Sequence, residues 1–245
     1  YPLSTLMLAG IKEILVITTP GDIRRYEELL GDGNRWGLEI SYEVQTKPRG
    51  LADAFIVAKK FLNNDLSVLI LGDNIFYGSK ITQELKLGQE RNEGATIFAY
   101  QVKEPERYGV IEFDTKGNPC SIEEKPSNPK SNWVATGLYY YDSQVVDIVK
   151  SLEPSARGEL EITSLNQAYL NEGLLKVQKL GRGFAWLDTG THESLLEASQ
   201  FISTLETRQG VKISCPEEIA WRLGYVNDED LIKLAADYPN NQYGQ

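Results

Sequence analysis

Ser67-Val68-Leu69-Ile70-Leu71-Gly72-Asp73-Asn74 is a short, continuous apolar run that stops on Gly-Asp-Asn. A run of this length, closed by a turn, reads as a buried strand. Before it, Leu51, Ala54, Phe55, Ala58, Phe61 and Leu62 recur at helical spacing and mark one apolar helix face. Further back, Glu13–Thr18 and Leu38–Gln45 read as strands. A polar helix near Asp22–Leu30 and the Gly-rich turn Gly31–Asn34 lie between them. The chain opens on a helix-like stretch, Leu3 to Ala9, with Pro2 suited to its first turn and Gly10 to its end. Alternating strand and helix signals predict an α/β fold, a central mostly parallel (mixed) sheet flanked by helices. In such sheets ligands bind beyond the carboxyl ends of the strands, where Asp73 stands. A sheet of this kind usually has a strand before its first helix, so the first βα unit reads as absent or incomplete.

From Ala95 the pattern becomes strand-rich. Ala95–Val102, Val110–Phe113 and Cys120–Glu123 read as strands, with Lys116-Gly117-Asn118 as a hairpin turn. Val134–Asp142 is a further strand, heavy in aromatics, with Tyr139, Tyr140 and Tyr141 suited to core packing. A helix is expected over Glu159–Asn171 and a strand over Leu175–Leu180. Ala185-Trp186-Leu187-Asp188 is a short strand that ends on a second Asp, before a long helix, Thr191–Arg208. From Pro216 the pattern is helical to the end. Residues 1–205 are thus expected to form one α/β domain, and 206–245 a helical C-terminal extension.

Composition narrows the chemistry. With 245 residues, 41% of them hydrophobic, the chain can bury one sizeable core. No apolar run approaches the roughly 18 residues that span a bilayer, and no signal-peptide pattern is visible. Cys120 and Cys215 lie far apart, which suits a reduced, cytoplasmic setting. The net charge of −10 argues against a nucleic-acid partner. It also means that a phosphate substrate needs local cations or a metal. His192, the single histidine, leaves no room for a Ser–His–Asp triad or a His-rich zinc site. Carboxylates, Lys, Arg, backbone dipoles and a hard metal remain.

Asp73 and Asp188 each follow an apolar strand and sit among small residues. Converging, they would make a hard oxygen site suited to Mg²⁺; taken singly, each suits a turn or helix cap. Lys125 in Glu123-Glu124-Lys125-Pro126 reads either as a phosphate donor beside a sugar-binding Glu124 or as half of a surface pair. Arg157, just before a helix, reads as a second phosphate cation or a solvated charge. Gln45 and Gly50 suit a pyrimidine edge and a close backbone approach, or merely a polar strand end and a turn.

In this order, these pieces resemble the glucose-1-phosphate thymidylyltransferase family. The resemblance is carried by Tyr1–Gly10 (YPLSTLMLAG), Leu71–Gly78 (LGDNIFYG), Pro105–Gly109 (PERYG) and Glu123–Pro126 (EEKP). Thr136–Tyr139 (TGLY), Pro154–Thr163 (PSARGELEIT), Ala185–His192 (AWLDTGTH) and Ser214–Ile219 (SCPEEI) extend it over essentially the whole chain. It implies a Rossmann-like nucleotidyltransferase fold and the Mg²⁺-assisted reaction of dTTP with α-D-glucose 1-phosphate to dTDP-glucose and pyrophosphate. It implies Asp73 and Asp188 as metal ligands, Gln45 and Gly50 as the thymine-recognising pair, and Lys125 and Arg157 as holders of the sugar phosphate. Gly109, Glu124 and Tyr139 resemble glucose-binding residues. Tyr77, Gly78, Glu218, Ile219 and Arg222 match a second, regulatory site for a dTDP-sugar such as dTDP-rhamnose, with a plain helical turn as the alternative for the last three. Relatives form homotetramers and feed deoxysugar synthesis for polysaccharide.

The family pattern also contains an N-terminal Gly-rich loop of the form GGxGTRLxP that cradles the triphosphate, and this sequence does not contain it. The expectation is a fragment of a longer product, also short of the usual C-terminal end, with poor turnover by itself. The rival readings are a uridylyltransferase of the same fold and a non-catalytic nucleotide-sugar-binding or regulatory protein.

Overall fold

A long, largely buried strand, β8 (Trp133–Tyr141), organises the molecule. In the computed structural model, which describes residues 1–90, 93–238, 241, 243 and 244, both edges of β8 are paired. One edge takes β5 (Ala95–Gln101), which in turn pairs parallel with β9 (Leu175–Lys179). The other edge takes β3 (Ser67–Ile70) along its C-terminal half. Val134, at its N-terminal end, pairs with Val110 of β6 (Gly109–Phe113), the first strand of a hairpin with β7 (Pro119–Glu124). At the hairpin turn, Gly117 takes φ +87°, a left-handed value natural to a residue without Cβ.

Two smaller sheets complete the layer. β1 (Glu13–Thr18) and β2 (Glu39–Val44) pair parallel through α2 (Ile23–Leu30). β4 (Asn74–Gly78) and β10 (Phe184–Asp188) pair antiparallel. The class is therefore mixed α/β, a curled central sheet flanked by helices. The balance of strand directions differs from the mostly parallel expectation. Among the described residues only β1/β2 and β5/β9 are parallel, whereas β3/β8, β5/β8, β6/β7, β6/β8 and β4/β10 are antiparallel. The physical reason is that periodicity reports which faces are buried and carries no information about neighbour direction. Among the described residues β1 pairs only with β2 and β3 only with β8. Their facing sides border an apolar cleft of about 200 Å³, lined by Ile14, Leu15, Ile17, Val68, Leu69 and Ile70 among others.

The remaining helices are α1 (Pro2–Leu8), α3 (Asp53–Val57), α4 (Lys59–Leu62), α5 (Ile81–Gln89), α6 (Val145–Ser151), α7 (Ile162–Asn171), α8 (His192–Gln209), α9 (Pro216–Arg222) and α10 (Asp228–Ala236). The helix expected over Leu51–Leu62 is broken at Ala58, where ψ of −2° departs from helical geometry. β4, α5 and α6 were not anticipated. α7 begins three residues later than expected, because Glu161 supplies its N-cap backbone and engages Ser155 and Arg157 with its carboxylate. Residue 206, the expected domain border, lies within α8, whose start is fastened by a Thr191–Ser194 capping box. The expected helix to the C-terminus is two helices, α9 and α10, followed by a tail of which 239, 240, 242 and 245 lie outside the described residues. No helix of the described residues is long and apolar enough to cross a membrane.

The core follows from β8. Tyr139, Tyr140 and Tyr141 are all buried, and Tyr141 packs edge-on against Phe55 at 5.2 Å and stacks on Tyr169 at 5.5 Å. Such aromatics each bury about 150–250 Å². A buried carboxylate joins the C-terminal segment to this body. Glu217 accepts hydrogen bonds from Trp36 Nε1 (3.0 Å) and Tyr243 Oη (2.6 Å). Burial alone would raise its pKa, but the bonds from Tyr243 and Trp36 outweigh burial and hold it below the usual carboxylate value.

Replacing Trp36 with Phe therefore leaves a buried charge short of a donor and is expected to lower unfolding free energy by about 1.5–3 kcal/mol, read from urea denaturation at pH 7. Because the folded pKa of Glu217 is depressed, this advantage is present above about pH 4.3 and is lost as pH falls through the lower folded value. The gap between wild type and Trp36→Phe should narrow in that acidic window.

Candidate active site

The β4/β10 register places Asn74 opposite Asp188, so Asp73 sits one residue from the carboxylate that ends β10. The loops that carry them are tied together. Thr189 donates both its backbone N–H (2.9 Å) and its hydroxyl (2.8 Å) to the Asp73 carbonyl. Asp188 Oδ1 accepts the Gly190 N–H at 3.0 Å. A Cβ on Gly190 would stand 3.1 Å from Asp188 Oδ1 and 3.5 Å from Asp73 Oδ2. The two carboxylates thus flank one point, kept open by a residue with no side chain. The turn-capping alternative for Asp188 is also realised, since the oxygen that faces this point caps its own turn. Among the described residues, no three acidic, His or Cys side chains cluster around one point. A hard cation here would take two carboxylates from the protein and fill its octahedron with water and phosphate oxygens, a donor set that suits Mg²⁺.

Gly109 and Glu124 stand on the β6/β7 hairpin, and Tyr139 is buried in β8. Gly109 pairs with Glu124 across the β6/β7 hairpin. A Cβ at Gly109 would meet Thr163 Oγ1 at 3.0 Å and Glu124 Oε2 at 3.5 Å. Thr163, from α7, donates its hydroxyl to that same Glu124 oxygen. The Tyr139 phenol is pushed well above its ordinary value, first by burial and then by the charges of Glu124 and Asp73. It therefore lies within the field of both acids. Tyr108 is raised by burial and next by Asp188, and its ring packs 5.2 Å from Trp186.

The two cations are both engaged by carboxylates. Lys125 Nζ lies 3.8 Å from Glu124 Oε1. Its backbone takes φ +45° immediately before Pro126, a costly conformation for a residue with a Cβ and one that recurs at functional sites. Its N–H donates to the Tyr108 carbonyl at 3.0 Å. Arg157 donates to Glu161 at 2.9 Å and stands 3.6 Å from Glu159, and the Glu161 bond raises its pKa further. Both side chains remain about half exposed, so these pairs are weak enough to exchange for a stronger anion.

Gln45 and Gly50 meet just beyond the end of β2, against Leu160. Gln45 Nε2 donates to Asp53 at 2.9 Å and to the Gly50 carbonyl at 3.3 Å. Both amide protons are thereby used, so the expectation that Gln45 reads a base with donor and acceptor is narrowed to its oxygen alone. Gly50 takes φ +101°, and a Cβ there would overlap the Leu160 backbone.

Of the residues matched to a second site, Tyr77 packs edge-on against Phe201 and accepts from Gln209 at 3.4 Å. A side chain on its neighbour Gly78 would overlap the Phe184 ring. Glu218 and Arg222 pair with each other on α9 at 2.7 Å, and Ile219 is buried in the core beside Trp36. Among the described residues, no hydrogen bond or ion pair joins Tyr77 or Gly78 to Glu218, Ile219 or Arg222.

Sequence reading did not single out Asn74, Tyr108, Thr163, Asp53 or Glu161. Asn74, Tyr108, Glu161 and Thr163 lay inside the quoted motifs LGDNIFYG, PERYG and PSARGELEIT, and that adjacency was the available signal; Asp53 lay in none. Thr163 and Asp53 act through contacts made only in the fold.

Two strand-end Asp side chains flanking one glycine, with Glu124 and two half-exposed cations on other loops, suit a phosphate-handling α/β enzyme. The nucleotidyl transferase family model matches residues 1–204. A glucose-1-phosphate thymidylyltransferase of Neisseria meningitidis is 58% identical over 245 residues, all of this chain and 85% of that protein. One from Mycobacterium tuberculosis is 52% identical over 244 residues, covering 84% of its length. Among solved structures, a Bacillus anthracis protein assigned to the same enzymes and solved with a sucrose aligns with TM-score 0.75 and 38% identity over 82% of each chain. A UDP-glucose pyrophosphorylase complexed with UDP-glucose shares the fold at TM-score 0.69 and 20% identity, over 82% of this chain and 84% of that one. The chain belongs to the nucleotidyl transferase family, and within it to the glucose-1-phosphate thymidylyltransferases.

Gly50→Ala should force the 49–52 turn away from Leu160 and lower stability by about 1–3 kcal/mol. An unchanged urea midpoint would contradict that reading.

Proposed function

We propose that these residues form the catalytic body of an enzyme that joins dTTP and α-D-glucose 1-phosphate to give dTDP-glucose and pyrophosphate. The observation that carries it is the pair Asp73 and Asp188 flanking the space at Gly190, beside Gly109, Glu124 and Tyr139. A phosphate oxygen of the sugar attacks the α-phosphorus in line and pyrophosphate departs, so no covalent enzyme intermediate is needed. The acidity of the site supports a metal-assisted reaction, because Asp73, Asp188, Glu124, Glu159 and Glu161 outnumber Lys125 and Arg157 here. Asp73 and Asp188 would hold Mg²⁺, which when bound supplies charge neutralisation to the α-phosphate and the incoming phosphate.

The chain's own groups supply recognition and orientation. Glu124, with one oxygen held by Thr163, accepts from sugar hydroxyls. Gly109 leaves room for the ring. Lys125 and Arg157 trade their carboxylate partners for the sugar phosphate, a stronger charge-assisted contact. Gln45 offers its free Oε1 to the N3–H of the pyrimidine. Thymine and uracil share that N–H, so Gln45 alone does not discriminate between them. The thymidylyl preference proposed here rests on the whole-length similarity to named thymidylyltransferases.

In the gene product that contains these residues, Asp73→Asn and Asp188→Asn should each reduce pyrophosphate release from dTTP and glucose 1-phosphate by about 10²–10³-fold. Activity within a few fold of wild type in both variants would remove the metal pair from the mechanism. Thr163→Val should leave the fold intact and raise the KM for glucose 1-phosphate by about tenfold, the cost of about one misplaced hydrogen bond. An unchanged KM would show that Glu124 does not need the anchor.

A further inference from the structure

We infer that Asn74 is a positioning residue for Asp73, and that its carboxamide fixes the orientation in which the Asp73 carboxylate faces the second acid. The inference rests on the reading of Asp73 and Asp188 as a metal pair. Asn74 is 2% exposed and stands where three chain segments meet. Its Oδ1 accepts the backbone N–H of Gly137 at 3.0 Å and the indole Nε1–H of Trp186 at 2.6 Å. Its Nδ2 donates to Asp73 Oδ1 at 2.8 Å.

The orientation of this amide is dictated by its neighbours. A backbone N–H and an indole N–H can only donate, so the atom facing both must be the oxygen. The remaining end is the NH₂ group, and it faces a carboxylate, which only accepts when ionised. A reversed amide would break all three bonds at once. Two fixed donors on one side therefore hold a donor against Asp73 on the other.

This has a consequence for the site. With Oδ1 of Asp73 held by Asn74, its Oδ2 is the oxygen turned toward the Gly190 space, where Asp188 Oδ1 also points. The anchors lie on the two strands that carry other site residues. Trp186 is two positions before Asp188 on β10, and Gly137 two before Tyr139 on β8. A single side chain thereby couples the first acid to the strand of the second acid and to the strand of the sugar-side tyrosine. Gly137 is required for the contact, since a Cβ there would overlap the Asn74 carboxamide. Asp at position 74 would set two carboxylates together. Ser is too short to span three partners, and Gln carries an extra methylene that the buried site does not accommodate.

The test compares wild type, Asn74→Ala, Trp186→Phe and Asp73→Asn in the gene product containing this chain. Mn²⁺ uptake without nucleotide is read from the free-ion electron paramagnetic resonance signal, and turnover is titrated with Mg²⁺. In folded Asn74→Ala, verified by circular dichroism, Mn²⁺ affinity is expected to fall roughly 10–100-fold, as supporting residues of metal ligands usually show. The Mg²⁺ activation constant should rise in step, with the glucose 1-phosphate KM within about twofold of wild type. A folded Asn74→Ala protein with Mn²⁺ affinity and Mg²⁺ activation both within about twofold of wild type overturns the inference. Should Asn74→Ala not fold, Trp186→Phe decides. It removes the indole donor, together with part of the ring that packs on Tyr100 and Tyr108, and should weaken Mn²⁺ binding about three- to tenfold, whereas wild-type affinity in that variant overturns the inference. Asp73→Asn separates the two levels of the argument. If it loses Mn²⁺ while Asn74→Ala keeps it, only the positioning role fails; if it keeps wild-type affinity, or wild type binds none, the metal reading fails and the inference with it.

Discussion

The antiparallel pairing of Asn74–Gly78 with Phe184–Asp188 joins segments more than a hundred residues apart, and the chemistry of the site follows from its register. Because Asn74 pairs with Asp188, two acids far apart in the chain end up at the mouth of one small sheet. Thr189 then clamps the two turns by donating twice to the Asp73 carbonyl. A slip of one residue would turn every side chain of one strand to the opposite face and separate the pair. The buried aromatics of β4 and β10, Phe76 and Trp186, oppose such a slip because it would turn them toward the opposite face.

Charge is the second organising feature. A chain of net charge −10 that handles phosphates must keep cations close to acids without spending them there. In the function proposed here Lys125 and Arg157 would meet this requirement in the same way, each half-exposed and loosely paired with glutamates. Exposed pairs of this kind contribute little to stability, on the order of 0–1 kcal/mol, so exchanging them for a phosphate costs little. The Glu217 cluster shows the opposite regime. Buried and fully donated to, it is a structural fastening for the C-terminal segment and has no such freedom.

Much of the architecture was readable in the residues. Most of the strands, and the helices α1, α2, α7 and α8, lie within a few residues of their expected limits, because apolar periodicity directly reports which side of an element is buried. The failures have more than one cause. β4 and α5 pack on partners distant in sequence, Phe184–Asp188 for the strand and the Phe98 region for the helix. Strand direction escaped the reading because burial patterning is the same for parallel and antiparallel neighbours buried on both faces.

At the site, the residue types alone determined the available chemistry: one histidine, no metal-spaced cysteines, two strand-end aspartates and two cations beside Glu-rich turns. They also carried the family, through motifs long enough to be specific. Whether Asp73 and Asp188 converge, which protons of Gln45 are already committed, and that Asn74 and Thr163 hold their neighbouring carboxylates were decided only by tertiary structure. The physical reason is that these depend on hydrogen-bond direction and distance across strands distant in sequence, which composition and spacing do not encode.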